Sequence, residues 1–106
     1  MFYMVQMYVN RPESINDEDW GAIRKREMEY GQSLMKDGRF RHIWRVVGEV
    51  SNVSIFDVDS NDELHEIISN FPLFPYMDIK VTPLAPHPSG LPEMYQYDQP
   101  AVAASR

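Results

Sequence analysis

The stretch Asp37-Gly38-Arg39-Phe40-Arg41-His42-Ile43-Trp44-Arg45-Val46-Val47-Gly48-Glu49-Val50-Ser51-Asn52-Val53-Ser54-Ile55-Phe56-Asp57-Val58 decides the fold. Gly38 is a helix stop, because glycine adopts the left-handed conformation a helix end needs. Residues 39–47 then read as a strand, Gly48-Glu49 as a tight turn and residues 51–58 as a second strand, which together make a hairpin. Working outward, a helix precedes the hairpin. Asn16 or Asp17 caps it, with Glu18 and Asp19 in its first turn, and it runs to Asp37. Another helix follows the hairpin, capped by Ser60 or Asn61, with Glu63 near the capping-box position and an end near Asn70. One strand flanks each helix on its outer side. Residues 2–9 are short, apolar and aromatic, and residues 78–84 follow the proline-bearing loop 71–76. The order is βαββαβ, an α+β, ferredoxin-like arrangement with an antiparallel sheet and both helices on one face. The first strand is apolar on both sides, with Phe2, Met4 and Tyr8 on one and Val5, Met7 and Val9 on the other. The second sheet face therefore needs a cover, which argues for an oligomer.

One domain fits the 106 residues, and residues 90–106, rich in proline and alanine, read as a tail on a unit spanning 1–89. Tyr95, Tyr97 and Pro92 of that tail are candidates for packing on a neighbour. Thirteen aromatics exclude wholesale disorder. The absence of cysteine excludes disulfides and thiolate chemistry, and fits a cytoplasmic location. A net charge of −6 argues against nucleic acid and anionic membrane surfaces as partners. No signal peptide and no membrane-spanning run is expected. The cations are nevertheless concentrated: residues 20–45 carry seven bases against three acids. Such a cluster is either a solvated, ion-paired surface or a site for a small carboxylate.

On a helical wheel Trp20, Ile23, Tyr30, Gly31 and Leu34 form the core-facing stripe of the first helix, and Glu27 stands at its centre. A carboxylate buried without partners costs several kcal/mol or goes neutral. Three structural explanations compete: an ion pair with an arginine, a hydrogen bond to a tyrosine, or a place at the stripe's edge. The functional one is a general acid/base in a dry pocket. Strict alternation along the second strand puts Phe40, His42 and Trp44 on one face and Arg39, Arg41, Ile43 and Arg45 on the other. The three histidines lack metal-ligand spacing. No serine-nucleophile elbow and no phosphate-binding glycine loop is present. No metal or cofactor is expected, which leaves acid/base chemistry on a small molecule.

Gly38-Arg39-Phe40-Arg41-His42-Ile43-Trp44-Arg45, the run Asn52-x-Ser54-x-Phe56-Asp57-Val58, Pro72-Leu73-Phe74-Pro75-Tyr76-Met77-Asp78-Ile79 and His87-Pro88-Ser89 resemble the muconolactone isomerase family of bacterial aromatic catabolism. The resemblance spans about residues 1–89. It implies a cofactor-free enzyme in a ring-like homo-oligomer, typically a decamer. That enzyme converts muconolactone to 3-oxoadipate enol-lactone by a 1,3-proton shift. Glu27 falls on the family's acid/base. Met4 and Gln6 stand where first strands of the family typically carry His and Lys, Arg24 where Lys is common, and Phe40 where Trp is frequent. Under this reading His42 or a backbone N–H meets the enolate charge. Arg24, Arg41 or Arg45 holds the substrate carboxylate, and Asn52, Ser54 and Tyr30 add polar contacts. Dehalogenation of a chloromuconolactone, isomerisation of another unsaturated lactone, and a non-catalytic ligand-binding role are the alternatives.

Overall fold

Each helix is bounded by local chemistry that the sequence names. Asn16 accepts the Asp19 backbone N–H at 2.8 Å through its side chain and opens α1 (Asp17–Asp37), whose first turn carries Asp17, Glu18 and Asp19 against the positive end of the helix dipole. Gly38 closes it at φ 90°. Its N–H donates to Met35 and that of Arg39 to Leu34, the paired bonds that satisfy the last carbonyls of a helix. The Ser60 side chain caps α2 (Asn61–Ser69) by accepting the Glu63 N–H, and Glu63 reaches back to the N–H of Asp59.

The computed structural model describes residues 1–95. Its strands are β1 (Phe2–Val9), β2 (Phe40–Arg45), β3 (Ser51–Asp57) and β4 (Met77–Leu84), in the sheet order β2-β3-β1-β4 with every neighbour antiparallel. Both helices lie on one face. Tyr3, Val5, Met7, Phe40 and Phe56 of the sheet share a single buried cluster with Leu34 of α1 and with Leu64, Ile67 and Ile68 of α2. Phe40 and Phe56 stack with centroids 4.4 Å apart, and Phe71 meets both edge-on. The expected βαββαβ order therefore stands. The β2–β3 connection is wider than a two-residue turn, spanning 46–50, with Gly48 at φ 84° and Glu49 N–H donating to Val46. Past β4, the turn Pro92–Tyr95 brings the Tyr95 hydroxyl to accept the His87 N–H. Tyr97 lies outside the described residues.

β2 departs from simple alternation. Phe40 pairs with Phe56 but His42 pairs with Ile55, so Arg41 is the extra residue of a β-bulge. After the bulge the faces exchange. Phe40, Ile43 and Arg45 look toward the helices, whereas His42 and Trp44 look away, stacked on each other at 5.0 Å. The expectation that Phe40, His42 and Trp44 share a face is thus corrected. Arg41 is also removed from the face of Ile43 and Arg45. Its guanidinium, nearly buried, pairs at 3.1 Å with Asp57, which alternates with core-facing Phe56 and so sits on the sheet's outer side.

Candidate active site

A cleft runs between α1 and the β2–β3 half of the sheet. It has two lobes of about 650 and 700 Å³ that share a boundary of Val9, Arg24, Ile43, Arg45, Asn52 and Leu73. The first lobe holds Glu27, with Phe40, Phe71 and Met77 as its apolar wall. The second is walled by Trp20, which packs edge-to-face on Tyr76 at 5.6 Å. Helical spacing explains the α1 contribution. Arg24, Glu27 and Gly31 lie three and four residues apart on one face. Gly31 contributes no side chain, so the rings of Phe40 and Phe71 come close: a Cβ there would lie 3.8 and 3.9 Å from them.

Glu27 is half-buried. Among the described residues no cation and no tyrosine pairs with it; its Oε1 accepts the backbone N–H of Leu73 at 2.9 Å. Burial pushes the carboxyl above the ordinary glutamate range. The Leu73 N–H stabilises the ionised form and pulls the other way, but burial prevails. Arg24 and Arg45 line both lobes, and neither forms an ion pair with the described residues. The arrangement is a strengthened base in an apolar wall, next to two guanidinium groups free to take an anion.

Of the residues singled out from the sequence, the cleft gathers Glu27, Arg24, Arg45 and Asn52. Ser54 lies beneath, fully buried, and donates to the Asn52 side chain at 2.8 Å. Tyr30 is turned toward α2, where its hydroxyl donates to the Ile67 carbonyl and its ring packs edge-on against Phe71. His42 and Arg41 belong to the far side of the sheet from Glu27. The residue that sequence reasoning missed is Leu73, through its main chain. Only a donor count on the folded chain singles it out. In Phe71-Pro72-Leu73-Phe74-Pro75-Tyr76 the prolines have no N–H. Phe71, Phe74 and Tyr76 donate to Ile68, Phe71 and Leu73. Leu73 is the one amide of the run left for a side chain.

Among the described residues no cluster of three His, Cys, Asp or Glu is placed to hold a metal, and no helix is long and apolar enough to cross a membrane.

The family model for muconolactone delta-isomerase matches residues 1–90. Muconolactone Delta-isomerase 1 of Acinetobacter lwoffii is 52% identical over 91 residues, 86% of this chain and 95% of that protein. Muconolactone Delta-isomerase of Cupriavidus pinatubonensis is 50% identical over 91 residues, 86% of this chain and 99% of that protein. A crystal structure of muconolactone isomerase superposes with a TM-score of 0.82 at 37% identity, covering 94% of this chain and all of the other. A half-buried glutamate beside two arginines that have no ion pair among the described residues thus sits in a chain that aligns with these enzymes over nearly their whole length, and the chain belongs to the muconolactone delta-isomerase family.

Proposed function

We propose that this chain is a cofactor-independent isomerase that converts muconolactone to 3-oxoadipate enol-lactone. The named relatives at about half identity support the substrate. The observation that carries the chemistry is Glu27: half-buried, with its pKa raised, and joined among the described residues only to an uncharged N–H. A carboxylate whose pKa is raised by burial is a stronger base than one on the surface.

With the substrate carbons numbered from the lactone carbonyl, Glu27 takes the proton from C4. The C4–H electron pair becomes the C3–C4 double bond. The C2–C3 π pair moves to C1–C2, and the carbonyl π pair moves onto oxygen, giving a dienolate. Glu27 then returns the proton to C2. The carbonyl re-forms, and the ring double bond has moved by one position. No electrons are gained or lost overall, so the step requires no redox partner. Arg24 and Arg45 hold the carboxylate of the side arm, which fixes the ring over Glu27. Arg41, paired with Asp57, and His42, stacked on Trp44, take no part within their own chain's cleft.

The same reading includes a homo-oligomer, for which the family's decamer is the expected form. The outer sheet face carries Phe2, Met4 and Tyr8 beside Val53 and Ile55, with Trp44 56% exposed. A second copy would cover it. Residues 1–89 form the catalytic unit and 90–106 an appended tail, and the setting is cytoplasmic aromatic catabolism.

Proton NMR of the purified protein with muconolactone in D2O tests the activity. Enol-lactone, or its hydrolysis product, carrying deuterium at C2 is the expected result. Folded protein that gives neither product nor exchange at C4 would sink the proposal.

A further inference from the structure

Ser54 is a hydroxyl in an unlikely place. It is fully buried at the middle of β3, paired with Val5 on one side and Ile43 on the other. A buried hydroxyl without a partner destabilises a core, and Ser54 resolves this by donating to Oδ1 of Asn52 at 2.8 Å. The two residues are two positions apart on the strand, so both face the helices. Asn52 is half-buried and lines both lobes of the cleft. A carboxamide has one accepting and one donating end. With Oδ1 engaged by Ser54, Nδ2 is the end of the amide left for the cleft that Asn52 lines, and no acceptor among the described residues engages it.

The proton shift creates negative charge on the lactone carbonyl oxygen, and a donor fixed in advance stabilises such charge best. The Leu73 N–H is already given to Glu27. Lys25 and Gln32 also line the Glu27 lobe, but both are exposed and no hydrogen bond holds either in place. Asn52 is held from below by a group that water does not reach. We propose that Asn52 is a catalytic residue whose Nδ2 donates to the dienolate oxygen, and that Ser54 is a positioning residue that sets the amide with its donor end outward. This rests on the isomerase reading above. It accounts for a buried serine that packing alone does not explain.

The test is steady-state kinetics with muconolactone on wild type, Asn52→Ala, Asn52→Asp and Ser54→Ala, each shown to be folded by circular dichroism. Wild type without turnover overturns the isomerase reading and this inference with it. With an active wild type, Asn52→Ala is expected to lower kcat about 10²- to 10³-fold with KM within a few-fold. Asn52→Asp is expected to fall at least as far, because it aims an anion at the forming oxyanion. Ser54→Ala is expected to lower kcat about tenfold with KM unchanged, the mark of a donor that is present but no longer held. An Asn52→Ala enzyme whose kcat stays within threefold of wild type, or whose loss lies wholly in KM, overturns the role of Asn52. A folded Ser54→Ala enzyme with full kcat overturns the role of Ser54.

Discussion

In the proposed mechanism Glu27 is the base, and its surroundings then make opposite demands on stability and activity. Its carboxyl binds a proton more tightly in the folded chain than in the unfolded one. Between the ordinary glutamate range and its raised value, the folded state therefore holds more protons than the unfolded state, and stability falls as pH rises through that window. With Glu27 as the base, turnover is expected to have the reverse dependence: it requires the ionised form and is lost as pH falls through the same raised value. The acidic limb of kcat/KM is expected to lie above the ordinary glutamate range, and a limb at or below that range would contradict the burial argument. Glu27→Gln keeps an oxygen for the Leu73 N–H but cannot accept a proton. It is expected to lower kcat by 10²- to 10⁴-fold while leaving thermal stability at pH 7 equal to or above that of wild type. Retained turnover within tenfold of wild type would remove Glu27 as the base. Arg24→Gln and Arg45→Gln belong to binding instead. A charge-assisted hydrogen bond contributes about 1.5–3 kcal/mol, so each is expected to raise KM about ten- to hundredfold with a smaller change in kcat. Inverted effects, with kcat falling and KM constant, would place the substrate carboxylate elsewhere.

At the scale of elements, the caps and turns do the positioning. The α1 terminus at Gly38 delivers the chain into β2 directly beside the helix face that bears Glu27. Gly38→Ala places a Cβ at φ 90° and is expected to cost about 1 kcal/mol, read as a lower urea midpoint with an unchanged slope. An unchanged midpoint would mean that the helix end can reseat itself. The elements themselves were legible in the sequence, because capping residues, glycine stops and period-2 runs are local signals. Glu27 was legible for the same reason: the helical period places it in the apolar stripe whatever else the chain does. Two things were not legible. The bulge at Arg41 is set by the pairing of β2 with β3, so the alternation read from β2 alone put His42 and Trp44 on the wrong side. The bond from Leu73 to Glu27 joins residues 46 positions apart, and only the closed fold brings them together.

At the scale of the whole molecule, the sheet has one face covered by two helices and one left open. The open face is rich in apolar side chains: Tyr8 is 47% and Trp44 56% exposed. A patch of this kind is ordinarily an interface. Ile55→Lys, placed at the centre of that face on β3, is expected to give a smaller species in analytical ultracentrifugation with its secondary structure intact. A wild-type chain that sediments as a 12.4 kDa monomer would refute the oligomer. The bulge in β2 has a further consequence for how this chain tolerates changes of length. It stores one residue of slack inside a strand. A single-residue deletion at Arg41, His42 or Ile43 can be absorbed by straightening the strand, leaving Phe40 and Arg45 still turned toward the helices. A single insertion finds no such reserve, and reversing either end would carry Arg45 out of the cleft or Phe40 out of the core. Natural length variation in this segment is therefore expected as loss, not gain.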